Sequence, residues 1–223
     1  MVKRISTGIP GLDPLVEGGF IDGSVILLTG GTGTGKTIFS LQFLWHGLQK
    51  GESGVYITLE ENPTDIKEDG LEFGWDFEKF EKRGLFKIVY HDPAQVNNLG
   101  SVIIDEIERL KAKRIVIDST SVIALNMESQ SQVRKFLYNI INTIKRTGCT
   151  GILISEVPEG SQSLTRFGVE EFVVDGVIIL NYLGTVGEYV RSLQIRKMRR
   201  TDHGKDVYPL DITHKGIIIK SES

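Results

Sequence analysis

The chain holds one cysteine and four histidines in 223 residues, and both scarcities set limits. Cys149 has no partner for an internal disulfide. Its place just before the apolar run Ile152-Leu153-Ile154 reads as a buried structural thiol rather than a reactive one. The histidines are scattered without metal-ligand spacing, which argues against a zinc centre. No apolar run is long enough to cross a bilayer. Met1-Val2-Lys3-Arg4 leads into Ser6-Thr7-Gly8 rather than an apolar signal region, so the cytosol is the expected compartment. Neither sign of charge dominates. The net charge of −3 and a pI of about 5.9 weigh against tight nonspecific nucleic-acid binding, although a local basic stripe remains compatible with them. Pro/Ser-rich linkers, low-complexity tracts and repeats of solenoid length are all missing.

What is present suits one α/β domain over residues 1–223 with a full hydrophobic core: 40% of the residues are hydrophobic and 25% charged. Strands are predicted at 24–29, 54–59, 86–90, 114–118 and 151–155. Helices are predicted at 36–49, 63–72, 77–82, 98–111 and 129–147. That alternation predicts a mostly parallel sheet sandwiched between helices. Beyond residue 155, strands at 173–182, 189–199, 207–212 and 216–220 lack helix-length connections and are expected as antiparallel additions at one edge. Gly184 and Gly187 mark the first turn among them, and Lys215-Gly216 a later one.

The most informative stretch is Gly30-Gly31-Thr32-Gly33-Thr34-Gly35-Lys36-Thr37, a phosphate-loop pattern placed between a buried strand and a helix. Such a turn points successive N–H groups inward, and the helix N-terminus adds partial positive charge, so a nucleoside triphosphate is the expected ligand. The nucleotide-binding candidates here are Gly31, Thr32, Gly33, Thr34, Gly35, Lys36, Thr37 and Ile38. Lys36 is expected to reach the β- and γ-phosphates, and the Thr37 hydroxyl to ligate Mg²⁺.

Three further groups could serve a triphosphate. Arg114-Ile115-Val116-Ile117-Asp118 is a β-branched run ending in an acid, and Asp118 is the candidate second metal ligand rather than a plain turn residue. Thr58-Leu59-Glu60-Glu61 closes the strand after the phosphate-loop helix. A carboxylate there could polarise the attacking water. Neighbours on a strand face opposite ways, so Glu60 is the expected base, with Glu61 orienting it. Asn62 and Pro63 are accounted for separately, as the cap and first residue of a helix. The basic stripe Gln194-Ile195-Arg196-Lys197-Met198-Arg199-Arg200 has three readings: a solvated edge strand, a cationic finger reaching a phosphate across a subunit contact, or a single-strand nucleic-acid contact. The stripe lacks interleaved aromatics, which weakens the last. Ser155-Glu156 could sense the nucleotide state or simply form a turn. His203, just past the stripe, reads as a surface-turn histidine.

Over nearly its whole length the chain resembles the KaiC family within the RecA-like ATPases. The resemblance rests on Ser6-Thr7-Gly8-Ile9-Pro10-Gly11-Leu12-Asp13 with Gly18-Gly19-Phe20, on the phosphate loop, and on Glu60-Glu61 and Ile117-Asp118. More specific are Phe73-Gly74-Trp75-Asp76, Arg166-Phe167-Gly168-Val169-Glu170-Glu171-Phe172 and Lys197-Met198-Arg199, which RecA-like proteins in general do not carry. The resemblance implies a twisted, mostly parallel RecA-like sheet with ATP at a subunit interface, commonly in a hexameric ring. It implies that Glu60 and Glu61 are the catalytic carboxylates. It also implies that Lys197, Met198, Arg199, Thr201 and His203 surround the adjacent subunit's nucleotide, with Thr213 nearby. This favours the trans-acting reading of the stripe. Departures are visible: one domain where the family's clock protein has two, and Glu171-Phe172 where its self-phosphorylating domain has Ser and Thr. Glu72 and His214 stand where the hydrolytic domain often has a small polar residue and Asp.

The function expected from sequence is therefore a homo-oligomeric, Mg²⁺-dependent ATPase with slow, regulatory turnover, binding ATP and hydrolysing it to ADP. Two alternatives stand beside it: an ATP-controlled module that docks an unidentified protein partner, and a recombination accessory protein acting on single-stranded DNA.

Overall fold

The structure, a computed structural model, describes residues 2–158, 160–161, 163–182 and 190–220, with 124–126 described by backbone alone. A two-strand antiparallel ladder joins β1 (Arg4–Ile5) to β2 (Phe20–Ile21), enclosing the short helix α1 (Leu12–Leu15). The alternating portion then runs β3 (Val25–Gly30), α2 (Lys36–Gln49), β4 (Gly54–Thr58), α3 (Pro63–Glu72), α4 (Phe77–Lys82) and β5 (Phe86–Tyr90). It continues through α5 (Leu99–Leu110), β6 (Arg114–Asp118), α6 (Gln130–Thr147) and β7 (Thr150–Glu156). Short 3₁₀ turns precede α5 and follow β6. The last portion comprises α7 (Glu170–Val173), β8 (Gly176–Tyr182), β9 (Arg191–Met198), β10 (Val207–Thr213) and β11 (Gly216–Ile219).

The main sheet has the order β11-β10-β9-β8-β3-β7-β6-β4-β5. Strands β8, β3, β7, β6, β4 and β5 are mutually parallel, and β9, β10 and β11 add antiparallel at the edge. This is the predicted α/β architecture with one correction. The strand expected at 173–182 as the first antiparallel addition instead pairs parallel with β3. Residues 170–173 are helical and the strand starts at Gly176. The crossover from β7 is long enough to return the chain to the same edge, but it carries only the four residues of α7 where a full helix is usual. Gly184 and Gly187, expected at the next turn, lie outside the described residues.

Alternation within the strands builds two core layers. Val25, Leu27, Val55, Ile57, Ile115, Ile117 and Leu153 face the layer of α5 and α6. Ile26, Leu28, Tyr56, Val116, Ile152 and Ile154 face the layer of α1 to α4. A sheet buried on both faces needs these near-continuous apolar strands. Helix starts follow side-chain capping: Asn62 accepts from Thr64 N–H at 2.9 Å, Asp76 from Lys79 N–H at 3.0 Å and Ser129 from Gln132 N–H at 3.3 Å.

Helix α2 is tied to distant parts of the chain. The buried Gln42 amide donates to Gly8 O at 3.0 Å and Ile217 O at 3.1 Å, and accepts from Ile217 N–H at 2.7 Å. Arg114, 1% exposed, donates to Glu52 at 2.6 Å and to Phe43 O at 2.8 Å, and stacks over the Phe43 ring. Gly47 leaves room for it, since a Cβ there would stand 2.4 Å from Arg114 Nε.

Candidate functional site

Four neighbouring parallel strands, β3, β7, β6 and β4, end at the same edge of the sheet. Register places Gly30 beside Glu156 and Thr58 beside Asp118. In open α/β sheets this carboxyl edge is where ligands bind. A cavity of about 550 Å³ lies there, bounded by the phosphate loop on one side and by Glu60, Glu61, Asp69, Asp118 and Glu156 on the others.

The loop geometry follows from its glycines. Gly33 and Gly35 adopt φ of +73° and +99°, a region costly for residues with a Cβ. Nothing lies within 4 Å of where a Cβ on Gly31 or Gly33 would sit, leaving a cradle lined by backbone. Gly35 caps α2, and the Thr34 hydroxyl closes the loop onto Gly31 O at 2.9 Å. Lys36 is 7% exposed; its ammonium donates to Gly31 O at 2.8 Å and stands 3.9 Å from Glu156. Burial lowers its pKa, against the opposing pull of Glu156, Asp118 and Glu60.

Thr37, Tyr56 and Asp118 form a second group. The Thr37 hydroxyl donates to Asp118 Oδ2 at 3.3 Å and the Tyr56 hydroxyl to the same oxygen at 2.5 Å. Burial pushes the Asp118 carboxyl up to about 6, with Glu61 and Glu60 adding to the rise and the Tyr56 hydrogen bond opposing it. The next residue, Ser119, donates from its hydroxyl to Glu60 Oε2 at 2.6 Å. Burial, then the carboxylates of Asp69 and Glu60, raise Glu61.

Glu60 and Glu61 lie beyond β4, which ends at Thr58. The Thr58 hydroxyl accepts from Glu61 N–H at 2.9 Å and Glu60 N–H at 3.3 Å, and donates to Glu61 O at 2.9 Å. The expectation that strand pleating sends the two carboxylates to opposite faces is therefore corrected. A hydroxyl-closed turn replaces the pleat, and both residues line the one cavity.

A metal fits the donor set. Thr37 and Asp118 offer hard oxygens in contact, as Mg²⁺ prefers when phosphates and water complete its shell. Among the described residues no group of three or more His, Cys, Asp or Glu side chains could hold a metal unaided. Five carboxylates line the cavity against Lys36 and Arg191, an excess of negative charge that favours a bound cation.

Of the remaining sequence candidates, Thr32, Gly33, Gly35 and Ile38 line this cavity. Gly31 and Thr34 line an adjoining cavity of about 540 Å³. The Ser155-Glu156 pair is split: Glu156 faces Lys36, whereas Ser155 donates to the buried Glu170 at 3.1 Å. Lys197, Met198, Arg199, Thr201 and His203 lie apart from the cavity. Strand β9 ends at Met198, so the extended stripe expected to residue 200 stops two residues short, and Arg200 turns at φ +55°. An irregularity opposite Val177 and Ile178 leaves Arg196 without a register partner. Lys197 donates to Glu171 O at 2.9 Å and Val174 O at 2.8 Å. Met198 is buried against Gly176. Arg199 lines a separate cavity of about 590 Å³ with Arg134, Lys135 and the exposed Tyr138 and Phe172. Thr201 accepts from Arg4 at 3.1 Å, and His203 contacts Gly204 O at 2.8 Å. Thr213 donates to Gly216 O at 3.0 Å, next to Ile212 on the cavity wall.

Sequence reasoning missed Tyr56, Asp69, Ser119 and Arg191. Arg191 donates to Gly33 O at 3.0 Å from a strand 158 positions away, and no local pattern announces it.

The chain is similar to known proteins over nearly its whole length. The family model described as ATPase: KaiC matches residues 5–223. A UPF0273 protein of Pyrococcus furiosus is 39% identical, covering 98% of this chain and 94% of its own length. The circadian clock protein KaiC3 of a Synechocystis species is 35% identical over 98% of this chain, which spans 46% of that longer protein. The crystal structure of a KaiC-like protein from the hyperthermophilic archaeon Pyrococcus horikoshii OT3 superposes with a TM-score of 0.90 at 43% identity, covering 99% of this chain and 100% of that one.

Proposed function

The chain belongs to the KaiC ATPase family, and from that premise we propose that it is a Mg²⁺-dependent ATPase acting as one domain, with each nucleotide held between two copies of the chain. The observation that carries the reading is the convergence of Lys36, Thr37, Glu60, Glu61 and Asp118 at four adjacent strand ends around one cavity.

ATP binds with its phosphates along the amides of Gly31 to Thr37, and Lys36 turns from Gly31 O to the β- and γ-phosphates. Thr37 and Asp118 would hold the metal, which would supply positive charge to the phosphate oxygens. Glu60 is fixed through one oxygen by Ser119, leaving the other to accept a proton as water attacks the γ-phosphorus and ADP leaves. Glu61, raised in pKa, shares and orients that charge. Lys197 and Arg199, outside their own protomer's cavity, reach the neighbour's phosphates, and hydrolysis then depends on assembly. Met198, Thr201, His203 and Thr213 shape the same contact. A regulatory role follows from slow, assembly-gated turnover.

Glu60→Gln tests the chemistry: phosphate release should fall at least about 100-fold while Mg·ATP still binds by calorimetry. Wild-type turnover in this variant would remove Glu60 as the base. Particle mass with and without Mg·ATP tests the assembly; a fully active monomer would refute the shared site.

A further inference from the structure

Segment 164–174 contains the Arg166-to-Phe172 motif, for which the hydrolytic scheme above has no use. Its hydrogen bonds connect two places that otherwise lie apart.

At one end the segment hangs from the strand ends under the phosphate loop. The Thr29 hydroxyl, one residue before β3 ends, donates to Leu164 O at 2.7 Å. The Ser155 hydroxyl donates to Glu170 Oε1 at 3.1 Å, and the following residue, Glu156, stands 3.9 Å from Lys36. At the other end the segment holds the cationic strand. Lys197 donates to Glu171 O and Val174 O at 2.9 and 2.8 Å, and Arg199 N–H donates to Asp175 O at 2.9 Å. Glu170 is the pin between these ends. It is 1% exposed, and it also accepts from Phe167 N–H at 3.3 Å and Val169 N–H at 3.1 Å. Among the described residues three neutral donors serve this buried side chain and no cation pairs with it. A turn that needed only to close could do so with a smaller, neutral residue.

We propose that Glu170 is a positioning residue that fixes α7 to the end of β7, so that Lys197 and Arg199 meet the neighbouring protomer's phosphates in a geometry set beside this protomer's own nucleotide. The proposal rests on the trans reading given above. It makes Glu170 matter to the adjacent site more than to its own, although its contacts lie beneath its own. Polar side chains at 29, 155, 170 and 197 form the connection, and each can be cut singly.

The test is complementation in mixed oligomers verified by mass. Glu170→Gln keeps the side-chain size and replaces one acceptor oxygen with a donor. Its oligomers should lose about 10- to 100-fold in kcat, with KM for Mg·ATP within about threefold of wild type, as expected when reacting groups are misplaced rather than binding lost. Adding Lys36→Ala subunits, which lend an intact cationic strand but do not turn over nucleotide at their own site, should restore part of the rate. Arg199→Ala mixed with Lys36→Ala should recover likewise. Recovery with Arg199→Ala but none with Glu170→Gln would overturn the role of Glu170 and leave the shared site standing. No recovery in either mixture would overturn both. Should Glu170→Gln fail to fold, Ser155→Ala takes its place, since it leaves Glu170 both backbone donors; a loss of about three- to tenfold, rescued the same way, is then expected. An unchanged kcat in the folded variant overturns the proposal.

Discussion

The parallel strands and the antiparallel edge of this sheet treat their charged residues differently. At the ends of β3, β7, β6 and β4, carboxylates and Lys36 meet within one cavity, where Asp118 and Glu60 accept from hydroxyls and Lys36 donates to Gly31 O with Glu156 close by. At the edge, Lys197 is held by backbone carbonyls, which orient its charge without neutralising it. Arg199 sits among Arg134, Lys135 and exposed aromatic rings. One region brings into a single cavity the groups assigned above to phosphate and metal, while the other holds Lys197 and Arg199 outside it, where the proposed function has them serve a neighbour. Losses at the edge should therefore fall on turnover alone, whereas losses on the parallel side fall on binding, turnover or both.

Four experiments would break or sharpen that contrast. The largest effect is expected at the edge: Arg199→Ala should lower kcat about 1,000-fold or more in an oligomer that still binds Mg·ATP. An equal loss of affinity and rate would erase the distinction. Next, Lys36→Ala on the parallel side should weaken Mg·ATP binding about 100-fold by calorimetry, since a charged contact to phosphate is lost from a buried position.

The third concerns Asp118. Its carboxyl is raised in the folded chain to about 6 from 3.8, so the folded state holds that proton more tightly than the unfolded one. This contribution to stability is present at low pH and is lost as pH rises through about 6. Asp118→Asn should consequently raise the melting temperature of metal-free protein at pH 7.5, by an amount on the order of 2 kcal/mol in stability, and the gain should vanish toward pH 4. The same substitution should weaken Mg²⁺ binding. In the wild type, Mg·ATP affinity should fall as pH drops below about 6, with proton release on binding. A melting temperature lowered at pH 7.5 would contradict the burial cost assigned to Asp118. The smallest effect is Asn62→Ala, which removes the cap of α3 and should cost about 1 kcal/mol by denaturant titration without altering affinity.

Much of the parallel region was legible in the sequence because local chemistry marks its boundaries. Helices 36–49, 63–72 and 77–82 begin and end where predicted, since Gly35, Asn62-Pro63 and Asp76 cap them. The phosphate loop, Asp118 and Glu60 converge as the pattern required. The edge was harder to read. The orientation of β8 was missed because the crossover from β7 replaces a full helix with four helical residues, and periodicity carries no sign of direction. The pleat argument at Glu60 and Glu61 failed because the Thr58 hydroxyl ends the strand one residue early. Tyr56 is a core residue of β4, yet its hydroxyl reaches Asp118, a contact that no sequence pattern marks. Arg191 depends on a pairing between distant segments that no window of sequence contains.

Gln42 adds a constraint on when the phosphate-binding helix matures. Its amide needs both Gly8 and Ile217, so a chain emerging from the ribosome cannot complete the surroundings of this helix until residue 217 has been made. Stalled or shortened translation products would carry an intact phosphate-loop sequence on a helix with one anchor missing.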